Sequence, residues 1–173
     1  RPRYYSVIEA TTPAPTVRPP SRMAKRSFSS IATGVISSTP IWDLAEPMME
    51  ALTERVHESC SAAVLDGLDI VYVLRIHTHK IMSTNLAVGS RLPAFWTSMG
   101  RVLLAALPEE DLHARLAALP RQAFTRHTAL DDQVLLARIT QARQQGWCLV
   151  DQELEEGLIS VAAPLQNRAG QVV

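Results

Sequence analysis

The segment Arg91–Leu107, RLPAFWTSMGRVLLAAL, decides how the rest of the chain is read. A charged, Pro-containing approach carries two adjacent aromatics, Phe95 and Trp96, and runs without a spacer into a stretch that is apolar on most faces. A helix that is apolar all round is a buried helix, so the spacing predicts a core helix from Ser98 to Leu107. Ser98 is the expected N-cap, which leaves the amides of Gly100 and Arg101 among the orphan donors of the first turn. Such a helix start attracts a nearby negative group by roughly 0.3 to 1 kcal/mol. Arg91 would add a charge-assisted contact, and Phe95 and Trp96 would wall the organic body attached to a carboxylate. The same residues also fit a well-capped core helix, with Trp96 packed inside and Arg91 in solvent.

Downstream, Pro108 opens PEEDLHARLAALP, whose acidic first turn suits the positive end of a helix and whose Leu112, Leu116 and Leu119 share one face. A further helix, DDQVLLARITQARQQG, is capped by Asp131 and closed by Gly146. WCLVD and LISVAAPLQ read as strands around the loop QELEEG, and NRAG begins a last hairpin leading into QVV. Upstream, SAAVLDGLDIVYVLRI reads as two strands joined by a DG turn, and IMSTNLAV as a third. Before them Trp42, Ala45, Met49, Leu52 and Val56 recur at helical spacing, with Glu46, Glu50 and Glu54 on another face. Pro47 implies that this helix begins near Ala45 or kinks there. One helix, three strands, three helices and more strands predict an α/β (α+β) domain, a largely antiparallel sheet covered by helices.

A chain of 173 residues with 47% hydrophobic content supports one ordinary domain with a real core and a tail. Runs such as VLLAAL are far too short for a bilayer, so no membrane span is expected. Cys60 and Cys148 form no CxxC motif and fit a reducing, cytoplasmic setting. The zero net charge hides an asymmetry, because residues 1–36 hold Arg1, Arg3, Arg18, Arg22, Lys25 and Arg26 against Glu9 alone. That basic Pro/Ser-rich segment has no sustained period and reads as an arm, disordered or foreign to the domain that begins at Ser37. The remaining acidic body is a poor nucleic-acid surface, although the arm alone could tether one.

No motif specifies catalysis. Ser98 lies in TSMG and not in a GxSxG elbow, so a small serine hydrolase using Ser98 is kept only as the alternative reading. His77 and His79 share a strand face without a third metal ligand, and QELEEG reads as a solvated charge run. Walker, GxGxxG and HExxH sequences are absent, and no metal or cofactor is expected.

Taken together, GSRLPAFWTSMGRVLLAALPEEDL, the helix ending in QQGW, and LVDQELEEGLISVAAPLQNRAGQVV closely resemble the effector-binding domain of IclR-family transcriptional regulators. Within that family the TSMGRVLLAALP and VDQELEEGL runs look like the branch controlling protocatechuate, 4-hydroxybenzoate and β-ketoadipate catabolism. The resemblance implies a GAF-like or profilin-like fold that binds one of these small carboxylated metabolites between its sheet and the helix at Ser98. Carried over by motif, the pocket comprises Ser98, Met99 and Gly100, then Val150 and Asp151, then Leu158 and Ser160; charge and shape add Arg91 and Trp96. A homodimer or homotetramer is implied, with DNA contacted only through a winged helix-turn-helix that this chain does not contain. Family members continue past Val173 into another strand, so residues 37–173 look like a domain truncated at its C-terminus.

Overall fold

The computed structural model describes residues 5–11, 41–77, 86–170 and 172. Its elements are β1 (Tyr5–Thr11), α1 (Ile41–Val56), β2 (Ser59–Asp66), β3 (Asp69–Ile76), β4 (Arg91–Pro93), a 3₁₀ turn (Ala94–Trp96), α2 (Ser98–Ala105), α3 (Glu109–Ala117), α4 (Asp132–Gln145), β5 (Cys148–Asp151) and β6 (Ile159–Pro164). The strands form one antiparallel sheet in the order β4-β3-β2-β1-β6-β5. The expected α/β class and antiparallel sheet are thus what the chain forms.

Two hydrophobic clusters lie against β2. Cys60 and Ala62 pack with Ala45 and Met49 of α1, while Ala63 belongs to the larger core with Phe95, Trp96, Met99 and the apolar residues of α2, α3 and α4. Every residue of α2 is buried, as its all-round apolar sequence requires. The amphipathic α3 and α4 then cover it, burying Leu112 and Leu116, and Leu135, Ile139 and Ala142.

Several boundaries differ from the sequence reading. α1 runs from Ile41 with Pro47 in its interior, although proline has no N–H for the carbonyl one turn back. The strand read in IMSTNLAV is not formed by its described part, which is irregular from Leu86 into a turn at Val88; the rest lies outside the described residues. Arg91–Pro93 pairs with β3 in its place. Tyr5–Thr11, inside the segment read as an irregular arm, pairs with β2 on one side and β6 on the other. Residues 12–36 of that arm lie outside the described residues.

β3 carries the irregularity that shapes the site. Ala62 pairs with Leu74 and Ala63 with Tyr72, so Val73 is an extra residue opposite that step. Val73 and Leu74 consequently both pack on the α1 side, and Tyr72 and Arg75, three apart, both turn to the other face.

Candidate functional site

A cavity lies between that face of the sheet and the start of α2. Its empty volume is ≈ 530 Å³ including the open solvent at its mouth, a space for a small ligand. Ser61, Tyr72 and Arg75 come from β2 and β3; Trp96, Thr97, Ser98 and Met99 come from the 3₁₀ turn and α2. Val150, Leu154, Leu158 and Ser160 close the side formed by β5, β6 and their connecting loop, and Leu86 and Leu92 complete the lining.

Arg75 dominates the electrostatics and was not singled out by the sequence. It is 7% exposed, sits directly opposite Ser61 across the ladder, and donates from Nη1 to Ser61 Oγ at 3.0 Å. Its guanidinium carbon lies 5.9 Å from the centroid of the Tyr72 ring. Burial lowers the Arg75 pKa, an effect opposed by Tyr72 and Cys60, while a guanidinium remains protonated near neutral pH. Burial also pushes the Tyr72 phenol up to about 12, so it stays a neutral hydroxyl; Arg75 acts in the opposite direction. The sequence signal for Arg75 is a single arginine inside the run IVYVLRI.

Across the cavity, α2 begins one residue earlier in its capping than expected. Thr97, in an extended conformation, is the N-cap, and its Oγ1 accepts the Gly100 amide at 3.2 Å. The Arg101 amide donates to Thr97 O at 3.0 Å. Both amides assigned to an anion are therefore engaged within the helix start. Ser98, freed from capping, donates from Oγ to Ser160 Oγ at 2.9 Å. Among the described lining residues there is no histidine or carboxylate that could act as a base for Ser98.

Of the nine residues proposed from sequence, Trp96, Ser98, Met99, Val150, Leu158 and Ser160 line the cavity. Gly100 stands behind the wall, against the backbone of Ala94. Arg91 lies elsewhere: its half-exposed guanidinium bonds Asp66 at 2.8 Å and Asp69 at 3.2 Å, because the turn between β2 and β3 brings two carboxylates beside β4. Asp151 points outward on β5 and borders a separate groove with Arg138 and Trp147. His77 follows β3, and His79 lies outside the described residues.

Residues 33–173 match the family described as bacterial transcriptional regulator IclR C-terminal. The Pca regulon regulatory protein of Pseudomonas putida is 45% identical over 139 residues, which cover 80% of this chain and 48% of that protein. A crystal structure of a Rhodococcus sp. RHA1 transcriptional regulator superposes with a TM-score of 0.75 at 43% identity, covering 86% of this chain and 59% of that one. The inducer-binding domain of the PobR transcription factor from Acinetobacter, a double mutant solved with 3-hydroxybenzoic acid, gives a TM-score of 0.70 at 29% identity. That match covers 76% of this chain and 77% of the other. This chain spans about half the length of the Pca regulon protein, and the matched region is the one built around the cavity. It belongs to the IclR family of bacterial transcriptional regulators and carries their C-terminal domain.

Proposed function

We propose that this chain is the ligand-sensing domain of a cytoplasmic regulator of aromatic-compound catabolism in the β-ketoadipate pathway, and that its cavity holds a small carboxylated effector. The reading rests on Arg75, a buried cation at the wall of a cavity whose other described lining residues offer hydroxyls and apolar surface. A carboxylate entering the cavity meets Arg75 and Ser61, and a charge-assisted contact to a buried guanidinium is stronger than one in water. Ser98 and Ser160 offer hydroxyls to the far end, and Trp96, Met99, Val150 and Leu158 flank the body between. Protocatechuate, 4-hydroxybenzoate and β-ketoadipate are the candidates; the kinship with the Pca regulon protein and with an inducer-binding domain seen with a hydroxybenzoate supports this class.

In the whole regulator, a dimer or tetramer carrying the DNA-binding part, effector binding shifts the assembly only by its difference in affinity between two arrangements. The test is calorimetry of the three acids against the parent, Arg75→Met and Arg91→Ala, with thermal melts of each. Loss of a charge-assisted contact at Arg75 is expected to weaken binding by about tenfold or more, on the order of 1.5 to 3 kcal/mol. Arg91→Ala should bind as the parent does. A parent that binds none of the acids, or an Arg75→Met chain that binds them equally well, overturns the proposal.

A further inference from the structure

The loop between β5 and β6 sends Leu154 and Leu158 into the cavity, but Glu153 takes the opposite course. Its side chain is 5% exposed, and its carboxylate takes three hydrogen bonds and a further ion pair. Oε1 accepts from Arg101 Nη1 at 2.6 Å and forms an ion pair with Arg138 Nη1, also at 2.6 Å. Oε2 accepts from Arg101 Nη2 at 2.7 Å and from the Ala129 amide at 3.3 Å. Arg101 is in turn fixed to the 3₁₀ turn that carries Trp96, because its Nε donates to Phe95 O at 2.8 Å.

The main chain around Glu153 is tied to the same neighbours. Thr125 Oγ1 donates to Gln152 O at 2.6 Å, and Thr128 Oγ1 donates to Glu153 O at 2.7 Å. Gln152 sits at φ 57, a left-handed conformation that a non-glycine residue keeps only where its surroundings impose it. Trp96, a wall of the cavity, donates from Nε1 to Ala129 O at 2.7 Å, one peptide unit from the amide that Glu153 binds. The cavity's loop, its aromatic wall, α2 and α4 therefore converge on one carboxylate.

The two arginines are not equivalent. Arg101 is 1% exposed, whereas the Arg138 side chain is 40% exposed on the rim of the groove between α4 and β5. Lifting the loop would strip the carboxylate from a fully buried guanidinium, which is far more costly than parting an ion pair in water. Arg138 strengthens the hold from a position that water reaches. We propose that Glu153 is the positioning residue of the cavity: shared between Arg101 of α2 and Arg138 of α4, it holds Leu154, Leu158 and Trp96 around the ligand space and sets the rate of ligand exchange without touching the ligand. The statement about exchange rests on the reading of the cavity as an effector site; the statement about position does not.

The two parts are tested separately on the full chain. Glu153→Gln keeps the shape and removes the charge; Arg138→Gln, at a water-accessible position, loosens the same carboxylate while leaving the Arg101 pair, and serves if Glu153→Gln fails to fold. Without ligand, amide hydrogen exchange at residues 125–129 and 152–158 should quicken by about tenfold, with α3 unchanged. Unaltered protection there, or an equal loss throughout α3, overturns the proposal. With 4-hydroxybenzoate, stopped-flow binding should show association and dissociation both accelerated by about threefold or more, with a smaller change in Kd, and Arg138→Lys should restore the parent rates. A change confined to Kd with parent dissociation also overturns it. If the parent binds none of the three acids, the effector reading fails and the exchange measurement still decides the role of Glu153.

Discussion

Gly100 is where a single hydrogen atom decides whether α2 can meet the turn before it. A Cβ built there would lie 2.0 Å from Ala94 O and 2.4 Å from Ala94 Cα, both backbone atoms that cannot rotate aside. Helix propensity alone expects Gly100→Ala to gain up to roughly 1 kcal/mol. The contact reverses that sign. Gly100→Ala should lose at least about 1 to 3 kcal/mol, as forced overpacking does, and the melting temperature should fall by several degrees before any ligand is added. A variant as stable as the parent would show that the 3₁₀ turn yields. The glycine itself was legible in the sequence, but its cause was not, because the atom it avoids belongs to a residue in another element.

At the scale of elements, local signals were readable where they are self-contained. Asp131 caps α4 by accepting the Val134 amide, and Gly146 ends it at φ 78, as their types and spacing required. The pair Thr97–Ser98 was ambiguous because either hydroxyl can cap a helix. The extended backbone of Thr97 settles it, so Thr97→Ala should destabilise the chain by about 1 kcal/mol in denaturant melts. Ser98→Ala, which removes a contact to Ser160 and no cap, should cost less; the reverse order would restore Ser98 as the cap. β3 shows the other limit. Strict alternation through DIVYVLRI puts Tyr72 and Arg75 on opposite faces, and only the extra residue at Val73 brings them together. A bulge is a property of two strands, so the face that Arg75 shares with Tyr72 cannot be read from one.

For the whole molecule, the decisive feature is β1, which occupies an interior position of the sheet while lying first in the chain. Its seven residues, YSVIEAT, are flanked by Pro- and Ser-rich sequence, and the partners that stabilise them stand far away in the chain. Nothing local announces such a strand. Removing residues 1–12 should leave β2 and β6 each with one unpaired edge and lower the melting temperature by on the order of 10 °C, or abolish a cooperative transition. An unchanged melt would make β1 dispensable to the sheet. The order of the strands also bears on how the protein is made. Among the described strands β1 is made earliest, gains β2 as a partner when Ser59–Asp66 emerges, and waits for Ile159–Pro164 to close its other edge. At about 5 to 20 residues per second that interval is on the order of ten seconds, far longer than a hairpin needs to form. Through that interval β1 presents one open edge, and the sheet reaches its final order only when the C-terminal strands arrive.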